Sequence, residues 1–271
     1  MTPIEVFAPA KINLTLHVTG LRADGYHLLD SLVSFAGVGD VLRLEPAPEM
    51  RLRVTGPMAE GVPTDARNLC WRAAEAFGVP VSIELEKHLP AAAGIGGGSS
   101  DAAAVLHGME QLCGRGFDGD LLALGADVPV CRLARAARMS GIGEKVAPVD
   151  LPRLSAVLVN PRVEVSTPRV FKALVQKDNP PMEALPEAGP AGLIRWIGAC
   201  RNDLQTPAIA VQPVIARVLA ALDGAGADLA RMSGSGATCF GLFMSRDAAD
   251  LAARGLQQAC PEWWVTACDL G

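Results

Sequence analysis

The sequence predicts an α+β fold in two lobes, on three observations. Several stretches alternate apolar and polar residues with the period of a strand. Others carry helix caps and an apolar spacing of three to four. The two kinds follow one another with no strict βαβ alternation. Half of the 271 residues are hydrophobic, enough for one large core or two smaller ones sharing an interface. A change in local style near residue 150 suggests a division into 1–152 and 153–271.

The elements follow in order. In KINLTLHVT, Ile12, Leu14, Leu16 and Val18 alternate with Asn13, Thr15 and His17. This predicts a half-buried strand with Lys11 and Asn13 on the face opposite the apolar row. GLRADGYHLLDS reads as a turn-rich connection, and VGDVLRLEP and RLRVTG as short strands. TDARNLCWRAAEAFGVP predicts a helix capped by Thr64 or Asp65, with a stripe of Leu69, Ala73, Ala76 and Phe77, ended by Gly78 and Pro80. VSIELEKHL alternates again, with Val81, Ile83 and Leu85 on one face.

LPAAAGIGGGSSDAA then places four glycines (Gly94, Gly96, Gly97 and Gly98) in five positions. A helix is expected in SSDAAAVLHGMEQL, with Ser99 or Ser100 as N-cap and Asp101 in the first turn, where an acid suits the helix dipole. Further on, LSAVLVNP predicts a strand, and VSTPRVFKAL a helix with Ser166 or Thr167 as cap and Pro168 in its first turn. Residues 178–190 are proline-rich and expected to form an exposed loop, followed by a helix in VQPVIARVLAALDGAG. LARMSGSGATCFGLFM reads as strand, glycine turn and strand.

Composition narrows the function. With 24 basic and 29 acidic residues the net charge is −5, and the basic residues form no run, which argues against a nucleic acid or an anionic membrane as partner. Seven cysteines without a Cys-x-x-Cys pair point to a reducing compartment rather than a disulfide frame or a zinc site. No basic, apolar leader and no apolar stretch of membrane-spanning length occurs, so the expected setting is soluble and cytoplasmic.

The glycine run sits where a strand passes into a helix, the arrangement in which exposed amides and the positive end of a helix bind phosphate. A plain tight connection is the alternative. No Gly-Lys-Ser/Thr follows, which excludes a Walker A loop, and Ser99 stands where the dinucleotide fingerprint needs a third glycine. The two serines favour a polyphosphate. Lys11 by itself reads as a solvated lysine, and Asp127, in LGADVPV, as either a turn former or a carboxylate held in a short apolar frame. The Ser233-Gly234-Ser235 turn fits a hairpin or an anion site equally well. Tyr26, the only tyrosine, and His27 lie in a glycine-bearing loop that could frame a flat ring.

Three separated segments resemble the motifs of the GHMP kinase superfamily: APAKINLTLHVTGLRADGYHLLDS, LPAAAGIGGGSSDAA and RMSGSGATCFGLF. RADGYH together with GGGSSDAA is most similar to the branch whose acceptor is a cytidine-diphosphate ester of 2-C-methylerythritol, in the non-mevalonate isoprenoid pathway. The resemblance implies a two-lobed α+β fold with its active site in the cleft between lobes. It also implies transfer of the ATP γ-phosphate, with Mg2+, to the acceptor's 2-hydroxyl. Lys11 and Asp127 match the catalytic pair. Pro90, Ala91, Ala92, Ala93, Gly94, Ile95, Gly96, Gly97, Gly98, Ser99 and Ser100 match the ATP loop, and Asn68 and Leu69 the adenine pocket. Asn13, Tyr26, His27, Thr167, Phe171 and Lys172 match positions that meet the cytidine substrate, and Ser233, Gly234 and Ser235 are grouped with them.

The short LCGRGFDGDLLALGAD connection and the 178–190 loop depart from the pattern, which leaves lid structure and any homodimer contact open. Rival readings are a homoserine or mevalonate kinase of the same superfamily, a non-catalytic binding protein, and a nicotinamide-dependent dehydrogenase. For the last, Asp118 and Asp120 lie about twenty residues beyond the glycines, but no βαβ series follows.

Overall fold

The computed structural model describes residues 3–271. In chain order the elements are β1 (Ile4–Asn13), β2 (His17–Leu21), β3 (His27–Pro46), β4 (Arg51–Thr55), α1 (Leu69–Phe77), β5 (Val81–Glu86) and α2 (Gly97–Cys113). Next come α3 (Leu121–Leu124), α4 (Val128–Leu133), β6 (Ala137–Gly141), β7 (Lys145–Pro148), β8 (Leu154–Asn160), α5 (Thr167–Ala173) and α6 (Pro190–Ala199). The chain closes with α7 (Gln205–Val211), α8 (Val214–Gly224), β9 (Leu229–Met232), β10 (Cys239–Phe243), α9 (Arg246–Ala259) and β11 (Trp264–Leu270).

The chain forms two compact units, each discontinuous: residues 3–11, 38–91 and 96–134 in one, and 12–37, 92–95 and 135–271 in the other. The boundary at 152/153 expected from local style does not coincide with this partition. The reason is that the first strands and the glycine loop thread both units, β3 running for 20 residues from the second into the first.

In the first unit, β4 pairs in parallel with β5, and β5 antiparallel with the second half of β3. Leu42, Leu44, Ile83 and Leu85 face one way and meet α1 and α2 through Cys70, Ala73, Phe77, Ala102, Val105 and Met109. α1 is capped by Asn68, whose Oδ1 accepts from Cys70 N, rather than by Thr64 or Asp65, and ends on Gly78 at φ 80° as expected. Ala76 points to solvent, and the buried stripe is Cys70, Ala73, Ala74 and Phe77.

In the second unit, β11, β8, β10 and β9 run antiparallel in that order. The first half of β3 pairs with β2 and β6, and β6 with β7. α8 and α9 cover the β8–β10 layer through Ile215, Val218, Leu222, Ala249, Ala252 and Leu256. Two expectations change here. The LHVT segment belongs to a chain buried on both faces, with Thr15 and His17 as inaccessible as Leu14 and Val18, so its polar residues are hydrogen-bonded rather than solvated. LLDS is strand rather than turn, because Leu29 to Val33 pair with β6.

Candidate active site

Lys11 lies near the end of β1, buried, in the first unit. Its Nζ stands 2.7 Å from Asp127 Oδ2. Asp127 immediately precedes α4, whose first turn holds Pro129, and its carboxylate makes no cap hydrogen bond. The apolar frame fixes the backbone but leaves the Asp127 side chain 36% exposed. The pair therefore presents one solvent-accessible carboxylate held by a lysine that has lost its water.

Beside it begins α2. The helix starts at Gly97 with Gly96 as its N-cap at φ 62°, so neither Ser99 nor Ser100 caps it, and no side chain takes its first amides. A Cβ on Gly96 would stand 3.2 Å from Lys11 Cβ and 3.3 Å from its Cε. The missing side chain is what lets this backbone lie along the lysine stem. Open first-turn amides, a positive helix end and an adjacent ammonium are together an arrangement that suits a polyphosphate chemically. Leu69 lies against this turn, its Cδ1 3.7 Å from where a Cβ on Gly98 would be.

Two predicted residues are spent on structure. Ser100 Oγ donates to the Pro9 carbonyl at 2.7 Å, tying the first turn of α2 to β1. Asn68 accepts from Cys70 N through Oδ1 as the cap and donates Nδ2 to the Pro63 carbonyl at 2.7 Å, which leaves one N–H and one lone pair of its amide unused. Along the loop, Pro90, Ala93 and Ile95 are buried, Ala91, Ala92 and Gly98 are exposed, and Gly94, Gly97 and Ser99 are half-buried.

The second unit holds the other predicted residues. His27 stacks on Phe171, ring centroids 4.5 Å apart at 28°. Burial, reinforced by Lys177, pulls its pKa below the ordinary value, so the ring is neutral at pH 7. Its Nε2 is buried and has no hydrogen-bond partner. Thr167 Oγ1 and Ser235 Oγ lie 2.7 Å apart. Ser233 Oγ accepts from Asn13 N and donates to the Gly94 carbonyl, and Asn202 Nδ2 donates to the carbonyls of Met232 and Gly234. Asn13 Nδ2 donates to Ser31 Oγ. The Ser233-Gly234-Ser235 turn is thus a rigid support for the glycine loop. Tyr26, 59% exposed, has no part in the aromatic stack, and Lys172 is exposed as well.

One charged cluster of the first unit has no counterpart among the predicted residues. Lys87 Nζ donates to Asp40 Oδ2 and, at 2.9 Å, to Asp101 Oδ2, all three side chains being buried. Asp40 Oδ1 also accepts from His88 N and Leu89 N. Asp101, expected in the first turn, is instead the fifth residue of α2, and its Oδ1 is buried without a partner. Burial pushes its carboxyl up to about 7, against the pull of Lys87. Strand parity carries the signal for two members: Lys87 continues the buried row Val81, Ile83, Leu85, and Asp40 precedes Leu42 and Leu44 on theirs. A charge in a buried row needs an opposite charge beside it.

The fold and these two constellations define a class. Residues 68–140 match the model described as GHMP kinases N terminal domain, and residues 182–262 that described as GHMP kinases C terminal. The comparisons then narrow it. The 4-diphosphocytidyl-2-C-methyl-D-erythritol kinase of Dinoroseobacter shibae is 59% identical over 97% of this chain and 93% of its own length. That of Roseobacter denitrificans is 54% identical over 99% and 94%. A crystal structure of 4-(cytidine 5'-diphospho)-2C-methyl-D-erythritol kinase superposes with a TM-score of 0.79 at 35% identity, covering 99% of both chains. The chain belongs to the 4-diphosphocytidyl-2-C-methyl-D-erythritol kinase family of GHMP kinases.

Proposed function

We propose that the protein transfers the γ-phosphoryl group of ATP to the 2-hydroxyl of 4-diphosphocytidyl-2-C-methyl-D-erythritol, giving the 2-phosphate and ADP. The observation that carries this reading is the Lys11–Asp127 pair beside the uncapped start of α2. Phosphoryl transfer asks a protein mainly for positioning and for charge neutralisation. Asp127 Oδ2 accepts the hydrogen of the acceptor hydroxyl and takes its proton as the new O–P bond forms and the bond to the ADP oxygen breaks. Lys11 holds that carboxylate in place and offsets negative charge on the transferring group. The first amides of α2, which no side chain caps, offer donors to phosphate oxygens.

Among the described residues no group of three or more His, Cys, Asp or Glu could hold a metal. Mg2+ would enter with the nucleotide, carried on its phosphates together with bound waters. The ion supplies further neutralisation of phosphate charge. The His27–Phe171 stack gives the cytosine a ring face. All seven cysteines are free, in keeping with a reducing, cytoplasmic setting.

The test is a coupled ADP-release assay with Mg-ATP and, in parallel, the cytidine compound, homoserine and mevalonate. Turnover on the cytidine compound alone supports the reading, and turnover on another acceptor overturns it. General-base loss costs roughly 10²–10⁴-fold in rate, and Asp127→Asn should lose kcat within that range. A loss below about threefold removes Asp127 from its role.

A further inference from the structure

The Lys87–Asp40–Asp101 cluster lies directly under the turn that the proposed reading gives to phosphates. Gly97, the first residue of α2, would place a Cβ 3.6 Å from Lys87 Nζ. Asp101 is four residues further along, about 6 Å down the helix axis. Its neighbours from every packed element are few: Asp40 on β3, Lys87 after β5, Cys70 on α1 and Cys131 on α4. Both thiols are buried and pushed up in pKa, so they stay neutral.

One ammonium therefore faces two carboxylates. Asp40 has the better claim on it, with Oδ1 already satisfied by two backbone amides. Asp101 is the surplus carboxylate, buried, with one oxygen that meets no donor. An acid proton on Asp101 would have Asp40 as its acceptor, and the cluster would then carry no net charge.

We propose that Asp101 is a proton-holding positioning residue of the nucleotide site, neutral when polyphosphate is bound at the start of α2 and ionised at a cost to that binding. The inference rests on the reading of α2 as the nucleotide site. A negative charge one turn inside the first amides offsets the positive potential of the helix start and repels an anionic ligand, in surroundings too dry to screen it. By linkage, if ionised Asp101 weakens nucleotide binding, bound nucleotide raises the proton affinity of Asp101 by the same factor. A shift of one pKa unit corresponds to a tenfold change in affinity.

The experiment is calorimetric titration of the full chain with MgADP in buffers of different ionisation heat, from about pH 6 to 9. Wild type should take up a fraction of a proton per nucleotide above neutral pH, and its Kd should weaken roughly tenfold across the range. Asp101→Asn keeps the contact with Lys87, and should bind with neither the proton uptake nor the added pH dependence. Equal proton uptake and equal pH profiles in the two proteins would overturn the role of Asp101 while leaving the nucleotide site standing. No MgADP binding to wild type would remove the nucleotide reading itself, and this inference with it. Should the variant fail to fold, infrared difference spectra of wild type at pH 8 decide. A protonated-carboxyl band that grows on adding MgADP supports the proposal, and its absence refutes it.

Discussion

Replacing Gly94 and Gly98 by alanine, one at a time, separates two reasons for placing glycine in the same loop. Gly94 sits at φ +72°, where a Cβ would stand 2.6 Å from the Ser233 carbonyl oxygen and 2.7 and 2.8 Å from the oxygen and nitrogen of Gly236. All three are backbone atoms of a turn that Ser233 and Asn202 hold rigid, so none can swing aside. An L-residue in the left-handed region costs about 1–2 kcal/mol and overpacking about 1–3, together about 2–5 kcal/mol. Gly98 is the second residue of α2, and its added Cβ would make an ordinary contact, 3.7 Å from Leu69 Cδ1. There alanine gains up to about 1 kcal/mol of helix propensity. Thermal unfolding in one buffer reads both. At roughly 2–4 °C per kcal/mol for a protein of this size, Gly94→Ala should lower Tm by about 4–20 °C, and Gly98→Ala should hold or raise it. A Gly94→Ala midpoint within about 2 °C of wild type, or equal losses in both variants, would refute the reasoning from contact distances.

Other outcomes follow from the same geometry. His27→Ala removes the partner of Phe171, and should raise KM for the cytidine substrate while leaving KM for ATP unchanged; equal effects on both would count against a role in cytosine binding. Asp30 accepts from Arg138 Nε and Nη2 and from Met182 N, pinning the middle of the proline-rich loop. In Asp30→Ala the Met182 amide should exchange with solvent at least about tenfold faster, a change of at least ~1.4 kcal/mol in local opening, while Leu193 in α6 keeps its rate. The folded-state pKa of Asp101 is raised to about 7, above its unfolded value. Its share of stability is therefore present below about pH 4 and lost as pH rises through about 7. Denaturant midpoints of Asp101→Asn should gain on wild type over that window, and a constant gap between the two curves would sink the assignment.

Local signals in the chain were enough to place the elements that matter most to the site. The alternation of Val81, Ile83 and Leu85, the glycine run and the apolar repeat after it mark a strand, a turn and a helix, because these patterns depend only on near neighbours. Motif resemblance brought Lys11 and Asp127 together, although 116 positions of chain separate them, and the pair is formed at 2.7 Å. Helix starts were less legible. Asn68 and Gly96 displaced the expected serine, threonine and aspartate caps, since an open helix end and a buried Asn depend on what packs beside them.

What the sequence by itself determined is the α+β class, the glycine junction and the residue types of a phosphoryl-transfer site, all of which rest on periodicity and short motifs. Tertiary structure decided which of those residues remain free to act. Ser100, Asn68 and Ser233 are tied to backbone carbonyls, while His27, and not Tyr26, stacks on Phe171. It also decided that Lys87, Asp40 and Asp101 form one buried cluster. Hydrogen-bond valence and burial depend on the atoms that surround a side chain, and in this fold those atoms come from strands and helices far apart in the chain.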